Sequence, residues 1–326
     1  MITKNAYAKV NLSLDIVGRR DDGYHLVRMV MQSLDIKDIL TFTKTEVSNP
    51  DERIKIELKL EEEADNKAQN NVAEKSSSLD DTDSKDNLGI VPLGKDNLIY
   101  KVAELLLSKY VWPEAPNSGV KITLEKHIPI AAGMAGGSSD AAATFRGIND
   151  LFDLGIMDQD LMDMAVPLGA DIPYCIMGGT ALSEGIGEVL TKLPAIPECF
   201  FLVAKPTISV STAEAYGGYD KLAESSKPGM ITHPDVDGQV DAIYSGSLRG
   251  ITDRFANVLE YVTAENHEEI GILENIMKQC GAVNAMMSGS GPTVFGIYDD
   301  KSKAEEAEKK LLETGIIEIT FITTAI

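Results

Sequence analysis

Residues 129–143 read PIAAGMAGGSSDAAA, a glycine-rich loop that runs into the start of a helix. Gly133, Gly136 and Gly137 permit backbone conformations that other residues resist. Ser138 or Ser139 can cap the helix, so that its free amides and the positive end of its dipole face the loop. The stretch therefore predicts a cradle for an anion, and phosphate binding is favoured over a plain turn in front of a packing helix.

Two common phosphate-binding motifs do not fit this stretch. The P-loop ends in Gly-Lys followed by Ser or Thr, and this sequence is absent here. The dinucleotide fingerprint needs Gly-x-Gly-x-x-Gly directly after a buried parallel strand, which the pattern also lacks. The loop must therefore hold its anion with backbone amides and the helix end.

The overall negative charge argues against some classes of binding partner. The 326 residues contain 51 acidic and 30 basic side chains, a net charge of −21. Such a surface disfavours nucleic acid and anionic membranes. Cys175, Cys199 and Cys280 are scattered, which is typical of reduced thiols. The start lacks the apolar core of a signal peptide, and no apolar run approaches the ~20 residues of a membrane span. We therefore expect a cytoplasmic protein.

Strand and helix patterns alternate along the chain without a regular βαβ period, which favours an α+β fold. Val10 to Ile16 alternates strictly and predicts a half-buried strand with Lys9, Asn11, Ser13 and Asp15 on its polar face. Helices are predicted at 139–152, 160–168 and 253–261, with Pro167 ending the second early.

The chain is long enough for two domains. The segment 193–197, LPAIP, is the best linker, which predicts domains at 1–193 and 194–326. Residues 61–87 carry nine acidic and three basic side chains and few large apolar ones, and they predict a mobile acidic surface insertion.

Three motifs, in order, resemble those of the GHMP kinases, a family that phosphorylates small molecules. They are AYAKVNLSLDIVGRRDDGYH near the amino terminus, the glycine loop PIAAGMAGGSSDAAA, and a second glycine loop, SGSGPTVFG, at 288–296. The segments 96–99 (DNLI), 169–173 (GADIP) and 184–188 (EGIGE) extend the resemblance over most of the chain. It implies an amino-terminal domain like domain 2 of ribosomal protein S5 and a ferredoxin-like carboxy-terminal domain.

The resemblance also implies the activity. It predicts ATP-dependent phosphorylation of the 2-hydroxyl of a methylerythritol linked to cytidine diphosphate, in the non-mevalonate isoprenoid pathway. Asp171 would be the catalytic base, and Lys9 would lower the pKa of the acceptor hydroxyl. The expected substrate contacts are Asn11, Tyr24, His25, Asp171 and Tyr216. The expected ATP contacts are Asn97 and the loop residues Pro129, Ile130, Ala131, Ala132, Gly133, Met134, Ala135, Gly136, Gly137, Ser138 and Ser139. Ser138 or Ser139 would bind Mg²⁺.

Each of these residues also has a structural interpretation. Asp171 and Asn97 stand where a helix could begin, so either could be a cap. Lys9 could simply solvate a strand, as most lysines do. Asp140, in the first helical turn, either stabilises the helix dipole or helps to hold Mg²⁺. Ser288 to Gly291 either supplies amides to the transferred phosphate or forms a hairpin turn.

The sequence is also compatible with two other functions. One is a GHMP kinase for another small alcohol such as homoserine, which would not need Tyr24 and His25. The other is a non-catalytic nucleotide-binding regulator, which would be expected to lack Lys9 or Asp171. The chain is expected to be a monomer or a weak homodimer.

Overall fold

The computed structural model of the chain describes residues 1–59, 91–225 and 231–326. These residues form two compact units. As far as the ranges are described, unit 1 comprises Met1–Tyr7, Lys37–Ile130 and Gly136–Ile176, and unit 2 comprises Ala8–Ile36, Ala131–Ala135 and Met177–Ile326. Both units are discontinuous in sequence, so the expected division at residues 193 and 194 stays a prediction. The acidic segment 61–87 lies outside the described residues.

The described part of unit 1 combines a sheet with four α-helices. Its strands are β1 (Ile2–Arg19) and β2 (His25–Glu46), both of which continue into unit 2, and β3 (Ile54–Leu58) and β4 (Ser118–Glu125). Its helices are α1 (Leu98–Leu106), α2 (Gly136–Phe152), α3 (Asp158–Ala165) and α4 (Ile172–Met177). The carboxy-terminal half of β2 pairs antiparallel with β4, and β3 pairs parallel with β4.

The core of unit 1 positions the helix that follows the first glycine loop. Ala141, Ala142 and Ala143 of α2 are buried beside the apolar face of α1. At Gly147 an added Cβ would lie only 2.5 Å from the Phe42 ring. The small residues of α2 therefore let its backbone lie directly on the sheet, which fixes where the helix begins.

Unit 2 contains the other elements. The amino-terminal half of β2 pairs antiparallel with β5 (Thr180–Glu184), which pairs with β6 (Val189–Lys192). A second, antiparallel sheet has the order β10 (Ile317–Thr323), β7 (Phe200–Pro206), β9 (Val294–Tyr298), β8 (Asn284–Met287). The helices are α5 (Thr212–Ser225), α6 (Val236–Tyr244), α7 (Leu248–Thr252), α8 (Glu260–Asn266), α9 (Glu268–Gln279) and α10 (Lys301–Glu313). This mixture of largely antiparallel sheets and helices confirms the α+β class.

The predicted helix at 253–261 is wrong. Helix α7 ends at Thr252 and α8 begins at Glu260. Between them the carbonyl of Ala256 accepts from the Leu14 amide, and the amide of Val258 donates to the Leu14 carbonyl. These bonds to β1 hold the segment in an extended conformation, so the same backbone groups cannot join a helix.

The expected half-buried first strand is also wrong in one respect. The alternation is present, but its polar side chains are buried too, since Lys9, Asn11, Ser13 and Asp15 are all at most 8% exposed. Burial of polar groups is costly unless they find partners. The polar face of β1 is therefore an interior surface. Pro167 acts as predicted, because α3 ends at Ala165 and a 3-10 turn at Val166–Leu168 contains the proline.

Among the described residues, no helix combines the length and the hydropathy that crossing a membrane would require.

Candidate active site

The first glycine loop turns sharply before it enters α2. Ala131, Gly133 and Ala135 have φ values of 51°, 71° and 55°, in the left-handed region that alanine rarely adopts. The helix begins at Gly136, so the expectation that Ser138 or Ser139 caps it is wrong. Both serines lie inside the first turn, where the Ser139 hydroxyl donates to the Gly136 carbonyl at 2.9 Å. The first amides of a helix lack partners within it, so the start of α2 is suited to an anion without a serine cap, and anion binding there stays a prediction.

Within unit 2 the two glycine loops contact each other directly. The Ser288 hydroxyl donates to the Gly133 carbonyl at 3.1 Å and accepts from the Asn11 amide at 3.4 Å. Asn257 donates through Nδ2 to the carbonyls of Met287 and Gly289. The segment Ser288–Gly291 connects β8 to β9, so the hairpin interpretation is confirmed, and the hairpin also holds the first loop in place.

Gly133 provides a direct test of this contact between loops. A Cβ there would lie 2.5 Å from the Ser288 carbonyl oxygen, and its φ is positive. We expect Gly133→Ala to lower the free energy of unfolding by about 3 kcal/mol, because strain from the positive φ adds to overpacking. Urea denaturation measures the loss.

The matched control is Gly155→Ala. Its φ is +66°, but no atom other than those of residues 154–156 lies within 4 Å of the added Cβ. It should cost only about 1 kcal/mol, the backbone part of the effect. Equal losses in the two variants would show that the contact between the loops contributes nothing.

Lys9 is a buried lysine rather than a solvated surface residue. It is 5% exposed, and its Nζ donates to Asn11 Oδ1 at 2.7 Å. Its backbone amide donates to the carbonyl of Met134 in the first glycine loop at 3.2 Å. Asn11 is completely buried and its Nδ2 lies 3.1 Å from Met29 Sδ. The structural interpretation of Lys9 as a solvating residue is therefore wrong, and the lysine lies against the glycine loop within unit 2.

Asp171 lies in unit 1, directly before α4, and is half-buried. Its carbonyl accepts from the Cys175 amide at 3.0 Å, which places Asp171 at the start of that helix. A carboxylate in this position is favoured by the helix dipole. The position at a helix start is thus confirmed, and the role of catalytic base stays a prediction.

Asn97 also begins a helix. Its Oδ1 accepts from the Ile99 amide at 2.8 Å, and its Nδ2 donates to the Pro92 carbonyl at 2.5 Å. The capping interpretation is therefore confirmed, and its contact with adenine stays a prediction.

A buried charge cluster lies under the start of α2 in unit 1. Lys126 Nζ donates to Asp38 Oδ2 and, at 3.0 Å, to Asp140 Oδ2. Asp38 Oδ1 accepts from the amides of His127 and Ile128 at 2.6 and 2.8 Å. The ammonium lies 3.0 Å from where a Cβ of Gly136 would be, so it touches the helix start. Asp140 pairs with a lysine below the helix, which favours its structural interpretation.

The cluster holds two carboxyls and one ammonium, so one carboxyl lacks compensation. Asp38 has three donors, whereas Asp140 Oδ1 is buried and has no partner among the described residues. Burial raises the pKa of the Asp140 carboxyl to about 8. The negative charge of Asp38 also raises this pKa, and the positive charge of Lys126 lowers it but does not outweigh the burial. Burial also acts to lower the pKa of Lys126, but the charges of Asp140 and Asp38 outweigh it and that pKa is raised.

This elevated pKa predicts a pH dependence of stability. From about pH 4 to about pH 8 folded Asp140 holds a proton that the unfolded chain releases, so its contribution to stability falls as the pH rises through this range. Asp140→Asn should remove that fall, which approaches about 1 kcal/mol per pH unit. Urea midpoints from pH 5 to 9 measure it. The control is Asp241→Asn, at an exposed position of α6. Its urea midpoint should change with pH as that of the wild type does. If the urea midpoint of Asp140→Asn also changes with pH as that of the wild type does, the Asp140 carboxyl is ionised over the whole range.

An open cavity of about 360 Å³ in unit 2 brings together three residues that the sequence predicts to contact substrate, Tyr24, His25 and Tyr216. The rings of His25 and Tyr216 lie 4.9 Å apart at an angle of 41°. Tyr24 is 60% exposed and so has free ring surface. The full lining is Asp22, Gly23, Tyr24, His25, Val27, Ile186 and Tyr216. An aromatic-lined cavity of this size suits a nucleobase, which binds by stacking.

Several residues of these sites were not predicted from the sequence. Asp38, Lys126, Ile186 and Asp220 lie in or beside them, and Asp220 contacts His25. One sequence signal could have found Asp220, because it follows Tyr216 by four positions and shares its face of α5. No local pattern marks Asp38 and Lys126 as partners, since they are 88 positions apart in the sequence.

Known proteins resemble the chain in sequence and in structure. The GHMP kinase N-terminal domain profile matches residues 97–179, and the GHMP kinase C-terminal profile matches residues 241–317. A Lachnoclostridium phytofermentans protein named 4-diphosphocytidyl-2-C-methyl-D-erythritol kinase is 43% identical over 307 residues, which cover 94% of this chain and 91% of that protein.

A crystal structure of a 4-(cytidine 5'-diphospho)-2C-methyl-D-erythritol kinase has a TM-score of 0.73 at 26% identity and covers 99% of both chains. Homoserine kinase from Cytophaga hutchinsonii has a TM-score of 0.68, with 99% of this chain and 94% of that chain covered, but at 15% identity it shows the shared fold alone. The two-domain GHMP kinase fold is thereby confirmed. Identity above 40% over nearly all of both chains shows the family: the chain belongs to the GHMP kinases, in the group of the 4-diphosphocytidyl-2-C-methyl-D-erythritol kinases.

Proposed function

We propose that the protein transfers the γ-phosphoryl group of ATP to the 2-hydroxyl of 4-diphosphocytidyl-2-C-methyl-D-erythritol. The observation that carries this proposal is the aromatic-lined cavity, in a chain 43% identical to a kinase named for that substrate. Tyr24 and Tyr216 offer ring faces to the cytosine, and His25 offers a hydrogen-bonding edge.

The residues of the chain fit phosphoryl transfer, which depends on positioning and on charge stabilisation. The amides at the start of α2 suit the phosphates of ATP, and the exposed Gly137 leaves that end open. In this proposal Asp171 accepts the proton of the acceptor hydroxyl, while the buried ammonium of Lys9 stabilises the oxygen as it gains charge. Asn11 holds Lys9 and contacts the substrate.

Mg²⁺ would neutralise phosphate charge when bound with ATP. No group of three or more His, Cys, Asp or Glu side chains suited to a metal occurs in the described part of the chain. One or two protein oxygens suffice for Mg²⁺, which keeps several waters. Of the two candidate serines, Ser139 is 2% exposed and bonded to Gly136, whereas Ser138 is half-buried. Ser138 therefore fits the ion better.

Exchanging each serine separates metal binding from packing. Ser138→Ala should raise the Mg²⁺ concentration for half-maximal turnover by about tenfold, since a metal ligand is lost. Ser139→Ala should instead lower the free energy of unfolding by about 1 kcal/mol through its lost hydrogen bond. Mg²⁺ titrations of turnover and urea denaturation of both variants measure this. The assignment is wrong if Ser139→Ala alone shifts the Mg²⁺ requirement.

The decisive experiment for function measures ADP release from ATP with the cytidylated methylerythritol, homoserine, mevalonate and galactose. Turnover with the first alone supports the proposal. Turnover with homoserine instead would favour a GHMP kinase for another alcohol, and no turnover with binding of ATP would favour a regulator. A cytoplasmic location and a monomer or weak homodimer stay predictions.

A further inference from the structure

The His25 ring is held by the carboxylate of Asp220, which no sequence motif indicates. Its Nε2 lies 2.7 Å from Asp220 Oδ1, and the side chain is 14% exposed. The other oxygen, Oδ2, accepts from Arg19 Nη1 at 3.1 Å, and Arg19 Nε in turn donates to the Gly23 carbonyl at 3.1 Å. Asp220 is thus fixed at both oxygens, and Arg19 ties it to the turn that precedes His25.

This contact decides which ring nitrogen carries a proton. An ionised carboxylate only accepts hydrogen bonds, so Nε2 must be the donor. In the neutral imidazole the remaining nitrogen, Nδ1, is then an acceptor. His25 makes no other side-chain hydrogen bond with any residue that the structure describes, and the ring lines the cavity beside Tyr216.

An acceptor at this position distinguishes the two common pyrimidines. Cytosine carries an exocyclic amine, which donates, where uracil carries a carbonyl oxygen, which accepts. As an acceptor, Nδ1 can take a hydrogen bond from the amine of cytosine. Opposite uracil it would face the carbonyl oxygen, and the lone pairs of the two acceptors would repel each other. With uracil, the buried Nδ1 would lose its water without gaining a hydrogen bond. The preference for cytosine over uracil therefore comes from repulsion of uracil as well as from attraction of cytosine.

We propose that Asp220 is a positioning residue that sets the tautomer of His25 and thereby makes the cavity select cytosine over uracil. The inference rests on the proposed function, in that it takes the occupant of the cavity to be a cytidine diphosphate derivative. In this proposal Asp220 does not touch the base and acts only through its hydrogen bond with His25. Asp220 lies on the same face of α5 as Tyr216.

Calorimetric titration of the full chain with cytidine 5'-diphosphate and uridine 5'-diphosphate tests this without turnover. The wild type should bind the cytidine compound at least about tenfold more tightly, the effect of one hydrogen bond. Asp220→Asn should reduce that ratio at least about fivefold and leave ATP affinity unchanged. Glu214→Gln, an exposed acid-to-amide change on the same helix, should keep the wild-type ratio.

A spectroscopic readout separates tautomer from packing. In ¹⁵N-histidine-labelled wild type, one of the four histidines, identified by its loss in His25→Gln, should show the Nε2–H pattern, and Asp220→Asn should show mixed tautomers. The inference is overturned if the wild type does not prefer the cytidine compound, or if Asp220→Asn weakens both compounds equally with the tautomer unchanged. Failure of the proposed function is distinct, because it appears as no phosphate transfer to the cytidylated alcohol.

Discussion

Asp171→Asn is expected to lower turnover by about three orders of magnitude while ATP affinity stays within about twofold of the wild type. An amide cannot take the proton of the acceptor hydroxyl. It has the size of the carboxyl and is also a good residue for a helix start, so α4 should still begin after residue 171. Steady-state kinetics and nucleotide titration measure the two effects.

The matched control is Asp158→Asn. Asp158 is an exposed acid in the first turn of α3, and its loss should leave turnover unchanged. Near-normal turnover of Asp171→Asn would contradict its role as base and leave only the position at the start of α4. The pH profile gives a further check, because a base must lose activity as it is protonated.

Lys126→Met is expected to lower the free energy of unfolding by about 3–5 kcal/mol at pH 8, the cost of removing one partner of a buried ion pair. The change leaves Asp38, which is completely buried, without its cation. Methionine keeps most of the volume, so packing is largely preserved. Urea denaturation measures the loss.

Two further variants separate charge from packing. Lys126→Met combined with Asp38→Asn should recover part of the loss, since the uncompensated carboxylate is removed. Lys59→Met removes a lysine that is 59% exposed and paired with Glu125, and it should cost less than about 1 kcal/mol. The charge explanation is wrong if the double variant is less stable than Lys126→Met.

The local signals of the sequence predicted much of the fold. The alternation of Val10 to Ile16 gave a strand, and the glycine loop before an alanine-rich segment gave α2. These signals depend on residues a few positions apart, which is the range over which backbone preference acts. The prediction of a helix at 253–261 failed because backbone hydrogen bonds of this segment go to Leu14, more than two hundred positions away.

The candidate site divides in the same way. Its residue types could be named from motifs, and the cavity does gather Tyr24, His25 and Tyr216. The start of α2 at Gly136 was not predictable from the serines, because Gly136 is needed where the Lys126 ammonium approaches the helix. That approach depends on a cluster whose members come from β2, α2 and the end of β4.

The amino-acid sequence determined the motifs, the family and the glycine-rich loop before α2, since all three are patterns along the chain. Only the tertiary structure decided that the polar face of β1 is interior, that Asp140 shares Lys126 with Asp38, and that Asp220 holds His25. The partners in the last contact are 195 positions apart. Burial and hydrogen bonding are properties of neighbours in space, and a buried polar group acquires its charge state and its chemistry from those neighbours.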